Sequence, residues 1–214
     1  MAKRLKQRPV VALDIDGTLG NYHLHFTRFA EGWTGRRMPD PANNTGGVPL
    51  YKWLGMAKPT YRQCKLAYRQ GGMKRSMPVY PYAAEVVKQL RKQAEVWICT
   101  TRPYLRLDNI DPDTRHWLRR NGIQYDGVLF GTHKYRDLRS IVGVENIVAV
   151  VDDEPEQYDT ATSIGIWPLL RTQPYNLYRE DIEPVNRVDD MLSLLATAQG
   201  HLQAWREQHG MGKR

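Results

Sequence analysis

The chain has 214 residues, 41% hydrophobic and 25% charged, with a formal net charge of +8; that length holds one domain with a sizeable core, or one domain plus an inserted module. No apolar run approaches a membrane span, and the basic start Met1 to Arg8 leads into an apolar run broken by Asp14, unlike a secretory signal. The two cysteines, Cys64 and Cys99, show neither metal-ligand nor disulfide-framework spacing, so a reduced, cytoplasmic setting is expected.

Pro9 to Leu13 predicts a short buried parallel strand, because the run is too short for a helix and contains β-branched residues. It ends abruptly in Asp14-Ile15-Asp16-Gly17-Thr18. Two like charges this close repel, and at the carboxyl end of a strand they call for a cation; the bland alternative is a turn with solvated carboxylates. A helix is expected over Asn21 to Glu31, with Leu24, Phe26 or Phe29 inward, then an irregular loop over Thr34 to Val48. Pro49 to Ala57 suggests a short helix, and Thr60 is expected to cap a helix from Tyr61 to Gln70 that stops at Gly71-Gly72.

From Pro81 onward strands and helices alternate. Helices are expected at Ala83 to Lys92, Asp113 to Asn121, Lys134 to Ile141, Glu154 to Ser163 and within Arg187 to Gln208. Strands are expected at Val96 to Thr100, Gly127 to Phe130, Asn146 to Val151 and Ile166 to Leu170. This alternation predicts an α/β, Rossmann-like three-layer fold: a parallel sheet with helices on both faces. The expected division is a core of residues 1–20 and 80–214 and a small helical insert, 21–79.

The charge is uneven. Between Gly20 and Tyr80 stand ten basic residues and only two acids, Glu31 and Asp40, so this segment carries the whole excess. A neutral body with one basic insert suggests an anionic partner for the insert, or simply a solvated face.

In a parallel sheet the strand ends share one rim. The first gives Asp14 and Asp16, the second Thr100, Thr101 and Arg102, the region after Phe130 gives His133 and Lys134, and the fourth ends in Asp152-Asp153. Carboxylates there suit a hard divalent cation, most simply Mg²⁺; hydroxyls and the Lys suit phosphate oxygens; one carboxylate is left to face phosphorus as a nucleophile.

Asp14-Ile15-Asp16-Gly17-Thr18, Thr100, Lys134 and Asp152-Asp153, in this order and strand context, resemble the four motifs of the haloacid dehalogenase-like hydrolases. The likeness covers about Val10 to Leu170. Trp97-Ile98-Cys99-Thr100 and the insert length are similar to the deoxyribonucleotidases of that family, and Thr101-Arg102-Pro103 with Trp117-Leu118 and Tyr125-Asp126 to the phosphatase half of bacteriophage polynucleotide kinases; the P-loop of the kinase half is missing. The resemblance implies Asp14 as nucleophile, Asp16 as acid and base, and Thr100 and Lys134 on the phosphoryl group. It implies Mg²⁺ on Asp14, Asp152 and the backbone carbonyl of Asp16, with Asp153 either a further ligand or a support behind the ligands, and with the insert as a cap.

Thr101, Arg102, Lys52 and Trp53 are candidate substrate contacts, with Arg102 open between that role and a surface Arg capping a loop. His23 and His25 read as surface or cap contacts rather than a metal pair, His133 as positional, and Cys99 and Trp117 as core. Three functions follow: a Mg²⁺-dependent phosphatase of nucleoside monophosphates, a phosphatase of nucleic-acid ends, or a binding module that kept the fold without turnover. The expected partner is a phosphorylated small molecule, a nucleotide first, with nucleic acid as the alternative and no membrane.

Overall fold

In the computed structural model, which describes residues 8–103 and 105–211, the first apolar run is the centre of the sheet. Strand β1 (Val10–Leu13) is fully buried. It pairs in parallel with β2 (Glu95–Thr100) on one side and β4 (Ile147–Asp152) on the other. With β3 (Gly127–Phe130), β5 (Pro168–Arg171) and β6 (Arg187–Val188) the order is β3-β2-β1-β4-β5-β6, all parallel. Leu13 lies level with Ile98 and Val151, so the residues after β1 and at the ends of β2 and β4 meet at one edge. That edge is where open α/β sheets bind ligands, beside the strands from which the chain sets off in opposite directions. Strand β6 was not expected, and two residues give too little alternation to reveal a strand.

The pleat sends alternate side chains to opposite faces. Val11 and Leu13 enter a core with Val86, Val87 and Leu90 of α4 (Ala83–Arg91), Trp117 and Leu118 of α5 (Ile110–Arg120), and the buried face of α8 (Met191–Gln208). Val10 and Ala12 enter a second core with Tyr135 and Leu138 of α6 (Lys134–Val142) and Ala161 of α7 (Pro155–Ser163). Asp190 caps α8, accepting from Ser193 N–H at 2.7 Å.

Between β1 and α4 the chain is helical: α1 (Tyr22–Thr34), α2 (Leu50–Trp53) and α3 (Lys58–Gln70), then a 3₁₀ turn, Met73–Ser76. It leaves and returns at neighbouring points, with Asn21 N–H donating to Pro78 O at 2.8 Å and Tyr80 N–H to Leu19 O at 2.9 Å. Thr60 lies inside α3 rather than capping it: Pro59 fits the first turn, and the helix starts at Lys58. Phe26, Tyr61 and Tyr68 pack edge to face, so these rings are core, while Trp33 is exposed. Among the described residues, no helix is long and apolar enough to cross a membrane.

Candidate active site

Asp14 stands one residue beyond β1, 4% exposed. Lys134, the first residue of α6, is fully buried and reaches Asp14 Oδ1 at 2.7 Å and Asp152 Oδ2 at 2.6 Å. Tyr135 donates its hydroxyl to the same Asp152 oxygen at 2.6 Å. Burial opposes the charge on Lys134, but the two carboxylates overcome it and hold the ammonium well above its ordinary range. Burial pushes the Asp14 carboxyl up to about 7, against the pull of Lys134, and Asp152 and Asp16 push the same way.

Asp14, Asp152 and Asp153 each offer an oxygen, all within 4.8 Å of one another. Asp153 accepts from Thr18 Oγ1 at 3.2 Å and from the Tyr175 hydroxyl. Burial, with nearby carboxylates, drives its carboxyl well above the usual range. Three buried carboxylates facing one ammonium are under-neutralised, and an all-oxygen donor set suits a hard divalent cation. The residues present therefore fit such an ion.

Gly17 makes this packing possible. Its φ is +102°, and a Cβ there would overlap the Asp153 carboxylate and the Tyr175 hydroxyl. Gln173 Nε2 donates to Gly17 O at 2.7 Å and to the Tyr80 hydroxyl at 3.0 Å, fixing the loop from behind.

Asp16 belongs to a different group. Arg102 Nη2 donates to its Oδ1 at 2.6 Å and Arg102 Nε to its Oδ2 at 3.1 Å, while Lys74 Nζ contacts Oδ2. Burial opposes the Asp16 charge, yet Arg102 and Lys74 hold its carboxyl far below the usual range. One carboxylate answers two cations, and burial brings Lys74 down to about 7 even with Asp16 beside it. The Asp16 side chain is thus not part of the cluster of three.

Thr100 is buried at the end of β2, with its hydroxyl accepting from Arg102 N–H at 3.4 Å; Thr101 is exposed on the pocket wall. Arg102 is 3% exposed and also donates to Thr114 Oγ1 at 3.0 Å, so it is a buried site residue and not a surface cap.

The pocket over this rim has about 80 Å³ of water-accessible space. The segment between β1 and α4 closes it with Tyr22, Lys65, Arg69 and Lys74. Two expected contacts lie away from this pocket. Lys52 and Trp53 do not line the pocket: Lys52 is exposed, and the Trp53 indole donates to Asp40 O at 3.1 Å, tying down the loop before α2. Of the insert cations Lys52, Lys58, Arg62 and Lys65, only Lys65 reaches the wall. Reading the sequence missed Arg69, Lys74, Gln173 and Tyr175. The one signal for Lys74 was its place just after Gly71-Gly72, where the chain turns back to the core. The histidines are not a metal pair: His25 Nδ1 lies 2.8 Å from the Tyr68 hydroxyl, and the His23 ring meets that of Tyr175 at 4.0 Å.

A parallel sheet in this order, with a rim of Asp14, Lys134, Asp152 and Asp153, defines a haloacid dehalogenase-like phosphatase, a phosphomonoesterase. Residues 8–200 match the family model described as 5′ nucleotidase, deoxy (pyrimidine), cytosolic type C protein, and the chain belongs to that family. This sets aside the module without turnover.

Solved structures agree on the fold. A haloacid dehalogenase-like hydrolase from Streptococcus pneumoniae matches with TM-score 0.58 and 17% identity, over 88% of this chain and 97% of its own. A subfamily IA hydrolase of the same superfamily from Geobacter sulfurreducens matches with TM-score 0.59 and 14% identity, over 89% and 96%. Protein Tyrosine Kinase A from Mycobacterium tuberculosis matches with TM-score 0.63 and 17% identity, over 90% and 99%. No curated protein matches the sequence.

Proposed function

We propose that the protein is a Mg²⁺-dependent 5′-nucleotidase that hydrolyses (deoxy)nucleoside monophosphates through an aspartyl-phosphate on Asp14. The family description supports this substrate class. The observation that carries the chemistry is Asp14 held between Lys134 and the cluster with Asp152 and Asp153.

In this reading an Asp14 oxygen attacks phosphorus and the ester P–O bond breaks. The leaving oxygen takes a proton from Asp16. Asp16 then takes a proton from water, the water oxygen attacks phosphorus, and the bond to Asp14 breaks to release phosphate. Thr100 donates to the phosphoryl oxygens and Lys134 balances their charge, with Thr101 and Arg102 as further contacts. Asp14, Asp152, Asp153 and the backbone carbonyl of Asp16 would hold Mg²⁺, which supplies charge neutralisation at the phosphoryl group.

Without substrate, Arg102 and Lys74 keep Asp16 ionised. An anionic substrate competes for those cations and lets Asp16 gain the proton it must donate. Residues 21–79 act as the cap over a core of 1–20 and 80–214, a reading supported by Lys65, Arg69 and Lys74 on the pocket wall. The setting is the cytoplasm, where the free thiols of Cys64 and Cys99 stay reduced.

The test is a hydrolysis screen of nucleoside 5′-monophosphates, sugar phosphates and phosphorylated oligonucleotides, with Mg²⁺ and with chelator. Turnover of nucleoside 5′-monophosphates that chelator abolishes supports the reading. Turnover confined to non-nucleotide esters, or indifferent to chelator, overturns it.

A further inference from the structure

The cations on the pocket wall are not all matched by acids. Lys134 answers Asp14 and Asp152, and Arg102 and Lys74 share Asp16. Lys65 and Arg69, also on the wall, make no salt bridge among the described residues. The one further acid on that wall, Glu154, acts on the Lys65 charge but forms no salt bridge with Lys65 or Arg69.

These two cations sit one turn apart on the same face of α3, a helix with no acidic residue. Like charges at that spacing cost helix stability, so nothing in the helix itself accounts for the pair. Both are only partly exposed. Lys65 Nζ is held 5.8 Å from the Tyr22 ring centre and 5.6 Å from that of Tyr61, so it is placed rather than freely solvated. Tyr22 is the one ring on the wall among the described residues, and Lys74 Nζ covers it at 3.9 Å. This wall therefore offers charge and no open aromatic face for a base.

The cleaved phosphate already has Lys134, Thr100 and the cluster of three carboxylates for a cation. We infer that the substrate carries a second phosphate group, taken by Lys65 and Arg69 of α3 while the first is hydrolysed over Asp14. Arg69 offers a forked donor set for phosphate oxygens and Lys65 a point charge. The second phosphate belongs either to a nucleoside bisphosphate or to the next phosphodiester of a strand. The inference rests on the phosphatase reading above and deepens its substrate class.

The experiment compares kcat/KM for a nucleoside 5′-monophosphate, the matching nucleoside 3′,5′-bisphosphate and the matching 5′-phosphorylated dinucleotide. At least one substrate with a second phosphate group should exceed the monophosphate by about tenfold at low salt, the size of one charge-assisted contact. Which one does so names the source of the second phosphate. The ratio should fall as salt rises and approach one in Lys65→Gln/Arg69→Gln, while Lys65→Arg retains it. A wild-type ratio near one for both substrates, or a ratio that survives the double substitution, overturns the inference. The salt series on the wild-type protein decides the matter should the double variant fold poorly: a ratio that salt does not lower counts against the subsite. A sugar bisphosphate and its monophosphate separate the two readings. Preference for the bisphosphate with no nucleotide turnover removes the nucleotide and keeps the subsite; nucleotide turnover without preference does the reverse.

Discussion

Arg102 grips Asp16 through two parallel hydrogen bonds, Nη2 to Oδ1 at 2.6 Å and Nε to Oδ2 at 3.1 Å. The Arg102 side chain is 2% exposed and that of Asp16 20%, so the pair is largely withdrawn from water. Removing Arg102 leaves Asp16 with Lys74 as its partner, so the cost falls below the ~3–5 kcal/mol of a buried charge left unpaired. Arg102→Met should therefore lower stability by about 1–2 kcal/mol in chemical denaturation. A double cycle with Asp16→Asn should give a coupling of about 1–3 kcal/mol. Additive effects of the two substitutions would contradict the clamp.

In the proposed mechanism the carboxylate cluster would make metal binding pH-dependent. Without metal, burial raises Asp14 from 3.8 to about 7, and Asp153 shifts the same way. Between those two values the unfolded chain has released a proton that the folded protein keeps. This contribution to stability is therefore complete below 3.8 and declines as pH rises toward about 7. His23, pushed down to about 3 by burial, adds an opposite slope with or without metal, so the difference between the two conditions is the readout. The rise in melting temperature caused by Mg²⁺ should grow from about pH 5 to about pH 7. An increment that is flat with pH, or absent, would show that the cluster holds no cation.

Gly17→Ala tests the loop behind the cluster. The new methyl meets the Asp153 carboxylate at a positive φ that disfavours any side chain. The Mg²⁺ concentration for half-maximal activity should rise by about tenfold or more. An unchanged value would mean that Asp153 does not depend on that turn.

Burial pushes the Cys99 thiol up to about 12 and raises that of Cys64 as well. Both are inaccessible in the folded protein. Iodoacetamide at about pH 8 should leave both unmodified in buffer and label both in denaturant, because the thiolate is the reacting form. Rapid labelling of native Cys99 would mean that the β2 face is not packed against α6.

The rim of the candidate site was legible in the sequence because its signals are local. Asp14 and Asp16 interrupt an apolar run, Thr100 and Asp152 end two more, and a parallel sheet brings such ends together whatever joins them. The insert was harder to read. Lys52, Lys58, Arg62 and Lys65 look alike in sequence, and only the rotation of α3 separates them. Buried Cys64 and Tyr68 set that rotation, which brings the next residues, Lys65 and Arg69, to the pocket edge. Helix α2 is a single turn anchored by the Trp53 indole, so its cation faces solvent. Tyr175 and Gln173 support the site from a 3₁₀ turn and its flank after β5, where no periodicity announces an approach to Asp153 and Gly17.

The central claim is a phosphoryl group carried on Asp14. Rapid acid quench during turnover, followed by peptide mass spectrometry, measures it directly. The peptide containing Asp14 should gain one phosphoryl group at steady state, lose it when substrate is exhausted, and never gain it in Asp14→Asn, whose turnover should fall on the order of 10⁴-fold or more. Phosphate release with no label on that peptide, or turnover retained in Asp14→Asn, would contradict the account.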